Sequence, residues 1–99
     1  MDLKTPAITK KTTKGVRRFH ELKVVSPYFE EVVKGNKTFE VRLFDRDYQK
    51  GDYLHLRHFH PDSKTYGQEV RRKITYLLTD TPYVPEGYVI LGMVDADHA

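Results

Sequence analysis

Period-two alternation of apolar and charged residues constrains this chain more than any other feature. Between Gln68 and Thr79, Val70, Ile74, Tyr76 and Leu78 alternate with Glu69, Arg71, Lys73 and Thr75. Successive side chains of an extended strand point to opposite faces, so this spacing predicts one strand with an apolar and a polar side. At about twelve residues it is long for a single strand. A strand that bends and serves two sheets of a small barrel accounts for that length.

Shorter runs repeat the pattern. Phe19 to Val25 predicts a first strand, with His20, Leu22 and Val24 on one face and Glu21 and Lys23 on the other. Thr38 to Phe44 predicts a second, with Phe39, Val41 and Leu43 inward and Thr38, Glu40 and Arg42 opposite. Tyr53 to Phe59 is a third. Tyr88 to Val94 is apolar at nearly every position, as in a strand covered on both sides. One helix interrupts the series. Ser26 is a preferred N-cap, Pro27 suits the first helical position, and Phe29, Val32 and Val33 form its apolar stripe. Gly35 is a natural residue to end it. Asp80 to Glu86, with two prolines, reads as a loop or short helical turn. The fold class that follows is α+β, mainly β: a small barrel of about five strands with one or two short helices. Phe19, Phe29, Phe39 and Val89 are core candidates.

Ninety-nine residues hold one domain. The absence of cysteine excludes disulfides and thiolate zinc sites and suits a reducing cytoplasm. No apolar run approaches the ~20 residues of a membrane-spanning helix, and the N-terminus lacks the apolar core of a secretory signal. The expectation is a cytoplasmic monomer with no membrane partner and no cofactor. The net charge of +3 divides unevenly. Residues 1–18 carry six basic side chains against Asp2, a balance of +5, and the other 81 residues hold 11 basic and 13 acidic, a balance of −2. Residues 1–18 are therefore expected to be a disordered basic arm, and 19–99 the domain. The arm suits phosphate tracking or simple solubilisation. The mildly acidic domain makes no case for nucleic acid on charge alone.

The chemistry concentrates in Gly35-Asn36-Lys37-Thr38-Phe39-Glu40-Val41-Arg42, where a helix end meets a strand. Lys37 can hold an anion, and Arg42 offers a planar fork for a phosphate or a base edge. Glu40 can accept from an exocyclic amine or serve as a general base, so Lys37 and Glu40 are the catalytic pair if the protein is an enzyme. The competing assignment is a surface Glu40–Arg42 pair with Lys37 in solvent, worth ~0–1 kcal/mol. His20, Lys23 and Arg46 are weaker members of a ligand site. Arg72, on the otherwise apolar side of its strand, is a further candidate. His58 and His60 share one strand face and His55 takes the other, so at most two converge, short of the three or four ligands zinc takes. No metal site is expected. Lys23, Arg46, Arg57, Arg71 and Arg72, with Tyr66 and Tyr76, fit a surface for single-stranded RNA. They fit the ordinary charged side of a half-buried sheet equally well.

In order, these elements resemble the ASCH domains, a branch of the PUA-like superfamily. The signature G-x-K-x-x-E-x-R falls on Gly35, Lys37, Glu40 and Arg42. His20-Glu21-Leu22-Lys23 resembles the family's opening strand, Tyr28-Phe29 its short helix, and Asp45-Arg46 and Gly51-Asp52 its loop elements. Leu54-x-Leu56-Arg57 and Gly87 to Gly92 resemble two further strands, so the likeness runs from His20 to Gly92. More narrowly the chain resembles a small bacterial and phage branch of uncharacterised function. The resemblance implies a PUA-like barrel with a cleft beside the signature that takes RNA or a nucleotide. One bacterial group of the family is an amidohydrolase of acylated cytidine, using the signature lysine, a threonine and a distant glutamate. Lys37 matches that lysine, Glu40 occupies the threonine position, and Asp80 to Glu86 is too short to carry the glutamate. His58 stands where an acidic residue is expected in relatives. Three expectations result: an RNA- or nucleotide-binding domain, a hydrolase of a modified nucleoside, or an accessory module whose ligand is another protein.

Overall fold

Residues 18–96 are described by the computed structural model. Apart from Arg18, the expected basic arm lies outside the described residues. The elements run β1 (Phe19–Val24), α1 (Tyr28–Val33), β2 (Phe39–Leu43), β3 (Tyr53–His60), β4 (Thr65–Leu78) and β5 (Tyr88–Asp95). The strands form one sheet ordered β1-β3-β4-β5-β2. β1 runs parallel to β3, and every other pair is antiparallel. The sheet curls into a half-barrel whose two edges, β1 and β2, flank an open seam. β4 pairs with β3 along its first part and with β5 along its second, so the long strand bends within one sheet and does not join two.

The concave face is the core. Partners across a ladder share a face, so Leu22 meets Leu56, Leu56 meets Val70, and Ile74 meets Met93. Leu54, Leu56, Val89 and Leu91 have no exposed surface. α1 docks on this core through Phe29 and Val32, with the Phe29 ring stacked 4.6 Å from His58. A helix of six residues does not persist alone, so this docking is what holds it. Val33, the third residue of its expected stripe, is exposed. Gly35 ends it with φ of +85°, as expected of a glycine there. Ser26 does not cap it. Pro27 takes the N-cap position, and the Ser26 hydroxyl is committed to Glu30 (2.8 Å) and His58 Nε2 (2.9 Å).

β2 faces the opposite way from expectation. Glu40 is 3% exposed, whereas Phe39, Val41 and Leu43 are 43%, 48% and 53% exposed. Glu40 lies opposite Leu91 and Arg42 opposite Val89, so it is the charged row that joins the concave face. Alternation fixes which residues share a side, and the partners available to Glu40 decide which side is buried. Phe39 is thus not a core residue. Nor is Phe19, which lies outside against Tyr53 and His55. A bulge produces a second inversion. The β4–β5 register shifts between Ile74 and Tyr76, so Ile74 stays in while Tyr76 and Leu78 turn out and Leu77 turns in. β5 buries Val89, Leu91 and Met93 but exposes Val94, so it is covered on one side only.

Residues 44–52 form a long loop pinned to β4, the central strand of the sheet. Gly51 N donates to Ile74 O, and Ile74 N to Asp52 O, each at 2.8 Å. The loop also buries the Tyr48 ring. Burial pushes the Tyr48 phenol pKa up, opposed by the weaker pull of the Arg46 and Arg42 charges. The folded chain therefore holds the phenol proton more tightly than the unfolded chain. That stabilisation is complete below the ordinary phenol pKa and is lost as pH rises through the raised value. Between about pH 8 and about pH 11, wild type should lose more stability in urea denaturation than Tyr48→Phe, which has no proton to lose.

Candidate functional site

Strand alternation aims unpaired backbone groups into the seam. At the ends of β2, Met93 N donates to Thr38 O (3.0 Å) and Phe44 N to Gly87 O (2.8 Å). Hydrogen-bonded pairs alternate along an antiparallel ladder, so Glu40 and Arg42 bond β5 while the backbone of Phe39, Val41 and Leu43 faces the seam. On β1, Arg18 O accepts from Tyr53 N (2.7 Å), which by the same logic turns the backbone of Glu21 and Lys23 outward. Side chains cross to these groups. Arg42 Nη2 donates to Lys23 O at 2.6 Å, and Arg46 Nη1 reaches Glu21 O at 3.4 Å.

Glu40 organises the site. Its Oε2 accepts from Lys37 Nζ at 2.7 Å, and its Oε1 accepts from Arg42 Nε and Nη2 at 3.0 and 2.9 Å. Lys37 Nζ also donates to Phe39 O at 2.7 Å. The three charged ends thus meet at one point, with one carboxylate between two cations and a net charge of +1. They line a cleft of about 640 Å³ at the seam, whose apolar walls include Val24, Val25, Tyr28, Phe39 and Val41. Such a mainly apolar cleft with a few convergent polar groups is the usual form of a small-ligand site. Charge-assisted bonds of this geometry hold the cationic groups in fixed positions.

Among the weaker candidates, only Lys23 joins this cleft; its ammonium sits 4.7 Å from the Phe59 ring. His20 is buried and bonds Asp52 Oδ2 at 2.8 Å, where Gln49 N (3.0 Å) and Arg18 Nε (3.7 Å) also converge. That cluster anchors the 44–52 loop to β1 and lies outside the cleft lining. Arg46 braces the seam below the cleft. Arg72 donates to Val32 O (3.2 Å) and lies 3.9 Å from Asp95. It lines a separate hollow of about 290 Å³ that shares only Lys37 with the main cleft. The rings of His58 and His60 are 4.3 Å apart, and His55 packs on Phe19 on the other side of the sheet. No group of three or more metal-ligating side chains is positioned to hold an ion among the described residues.

The apolar walls were not identified from the sequence. Phe39 and Val41 sit inside the signature itself, but alternation assigned them to the core. Tyr28 did carry a signal: a large aromatic residue beside, and not on, the Phe29–Val32 stripe.

Comparison with known proteins matches residues 19–93, from the start of β1 almost to the end of β5, to a family model described as a domain of unknown function, DUF3850. An uncharacterised 12.9 kDa protein in the GpA 3′ region of Escherichia phage P2 is 38% identical over 77 residues, which cover 78% of this chain and 69% of that protein.

Removing one cation leaves Glu40 with the other; removing both leaves a buried carboxylate unpaired. Lys37→Met and Arg42→Met should each cost about 1 kcal/mol in urea denaturation, and the double variant about 4 kcal/mol, well above the sum. Additive costs would mean that Glu40 is not desolvated.

Proposed function

The chain belongs to the DUF3850 family, and from that premise we propose that it is an RNA- or nucleotide-binding domain whose ligand occupies the seam cleft. What carries this proposal is the Lys37–Glu40–Arg42 triad: two cations fixed on one buried carboxylate at the edge of an apolar-walled cleft. Lys37 and Arg42 supply the donors for a phosphate, and Tyr28 and Phe39 supply apolar surface for a base. The half-barrel, together with the ordered set Gly35, Lys37, Glu40 and Arg42, supports kinship of the family with the ASCH domains.

The triad favours binding over bond cleavage. A catalytic lysine must present a free amine lone pair. Lys37 Nζ is held by Glu40 and Phe39 O, and Glu40 accepts at both oxygens, so both side chains are committed to each other and to Arg42. Neither group is poised to attack an acylated nucleoside. No turnover of acylated cytidine is expected.

Affinity for labelled RNA, read by fluorescence anisotropy, should fall linearly with salt on a log–log scale. Lys37→Gln and Arg42→Gln should each weaken binding about tenfold and lower the salt slope by about one, because each removes a phosphate contact. Affinity that is indifferent to salt, or unchanged in both variants, overturns the proposal. So does hydrolysis of acylated cytidine that disappears in Lys37→Gln, which would make the protein an enzyme.

A further inference from the structure

The outer surface of the half-barrel divides in two. Over β1, β3 and the first part of β4 it carries Glu21, Lys23, Arg57, Glu69 and Arg71, including an Arg57–Glu69 pair at 3.0 Å. Over β2, β5 and the second part of β4 the outward rows from Phe39 to Leu43, Tyr76 to Leu78 and Tyr88 to Gly92 hold no charged residue, and the nearest cation is the Lys37 ammonium 5.0 Å from the Phe39 ring. Phe39 and Tyr76 flank Gly92, Val41 and Leu78 flank Ile90, and Leu43 lies opposite Tyr88. Val94 extends the row, with Lys73 opposite it as the first charged residue at the border. Tyr76 is 63% exposed, and Phe39, Val41, Leu43 and Val94 each between 42% and 54%. Isolated apolar side chains on a surface are ordinary, whereas a contiguous uncharged face on three hydrogen-bonded strands marks an interface.

We infer that this face is where two copies of the chain pack, sheet against sheet, as a twofold dimer. The sequence alone carried the expectation of a monomer; the two inversions at β2 and β4 are what assemble the face. Covering the face in full would bury an area at the lower end of the range of stable interfaces, on the order of 1,200 Å² for a pair. Near a twofold axis each residue meets its own copy, and a charge there would face its like. An uncharged patch avoids that repulsion and offers no charge pattern with which to select a different protein. Residues 1–17 are a poor complement: they carry Lys4, Lys10, Lys11, Lys14 and Arg17 and no apolar run. Pairing through the β2 edge is disfavoured, because Glu40 and Arg42 point inward there and Arg42 already occupies the seam. Phe39 and Val41 belong both to this face and to the cleft wall, whereas Tyr76 and Leu43 belong to the face alone, so substitutions at those two test the dimer without touching the cleft lining.

The test is sedimentation of the full chain from about 1 μM to about 500 μM, a span that brackets weak and strong association. The expected result is a reversible shift to twice the 11.6 kDa chain mass. Tyr76→Glu and, separately, Leu43→Lys should weaken dimerisation by about thirtyfold or more each. Both sites are more than half exposed, so the monomers should keep the wild-type circular dichroism spectrum. Arg71→Glu, on the charged half, should leave the dimer unchanged. A monomer at every concentration overturns the inference, as does a dimer indifferent to both substitutions. A monomer that dimerises only once residues 1–17 are removed also overturns it, because those residues would then cover the face.

Discussion

A buried carboxylate shared by two cations sets the orientation of everything around it. Taking Glu40 out of water costs several kcal/mol, and Lys37 and Arg42 offset that cost with charge-assisted bonds to both oxygens. Once Glu40 is inside, period-two geometry leaves β2 no freedom. Arg42 must share the concave side with Glu40, and Phe39, Val41 and Leu43 must face out. Arg42 then spends a further donor on Lys23 O, tying the edge of β2 to the edge of β1. Arg42 thus ties the seam, and with Glu40 and Lys37 it furnishes the seam with charge.

That seam is why the molecule has a cleft. A closed barrel of this size would fill its interior with side chains, whereas an open one leaves two edges with unpaired backbone groups. Arg42, Arg46 and Lys37 satisfy some of these groups and leave apolar walls between them. α1 completes the enclosure, since Phe29 and Val32 fix it on the core and so place Tyr28 at the cleft. Structure and site are in this sense one arrangement: the residues that keep the half-barrel open are those that line it.

The outer surface follows from the same parity. Turning β2 over moves three apolar side chains to the exterior, and the β4 bulge adds Tyr76 and Leu78 beside them. Neither event alone would make a continuous face. Together they give the sheet a charged half, where Arg57 stacks on Tyr66 at 3.9 Å, and an uncharged half. The aromatic residues of the charged half are largely covered by their own cations, Lys23 over Phe59 and Arg57 over Tyr66, and so offer few open stacking surfaces.

Local pattern determined the number, order and approximate bounds of the strands, the single helix, and its end at Gly35. It also brought Lys37, Glu40 and Arg42 to notice as a group, because they fall within one strand-length of a helix end. Those properties depend on neighbours a few residues apart, which the sequence states directly. Only the tertiary structure decided which side of β2 is buried, where β4 shifts register, and that His20 belongs with Asp52 and Arg72 with Val32. Two of those outcomes turn on a partner 32 or more residues away, one on a bulge worth one residue of phase, and the orientation of β2 on how its charged row meets β5. Alternation is symmetric between a strand's two faces. The symmetry is broken only when one face finds partners for its charges, and those partners meet only in the folded chain.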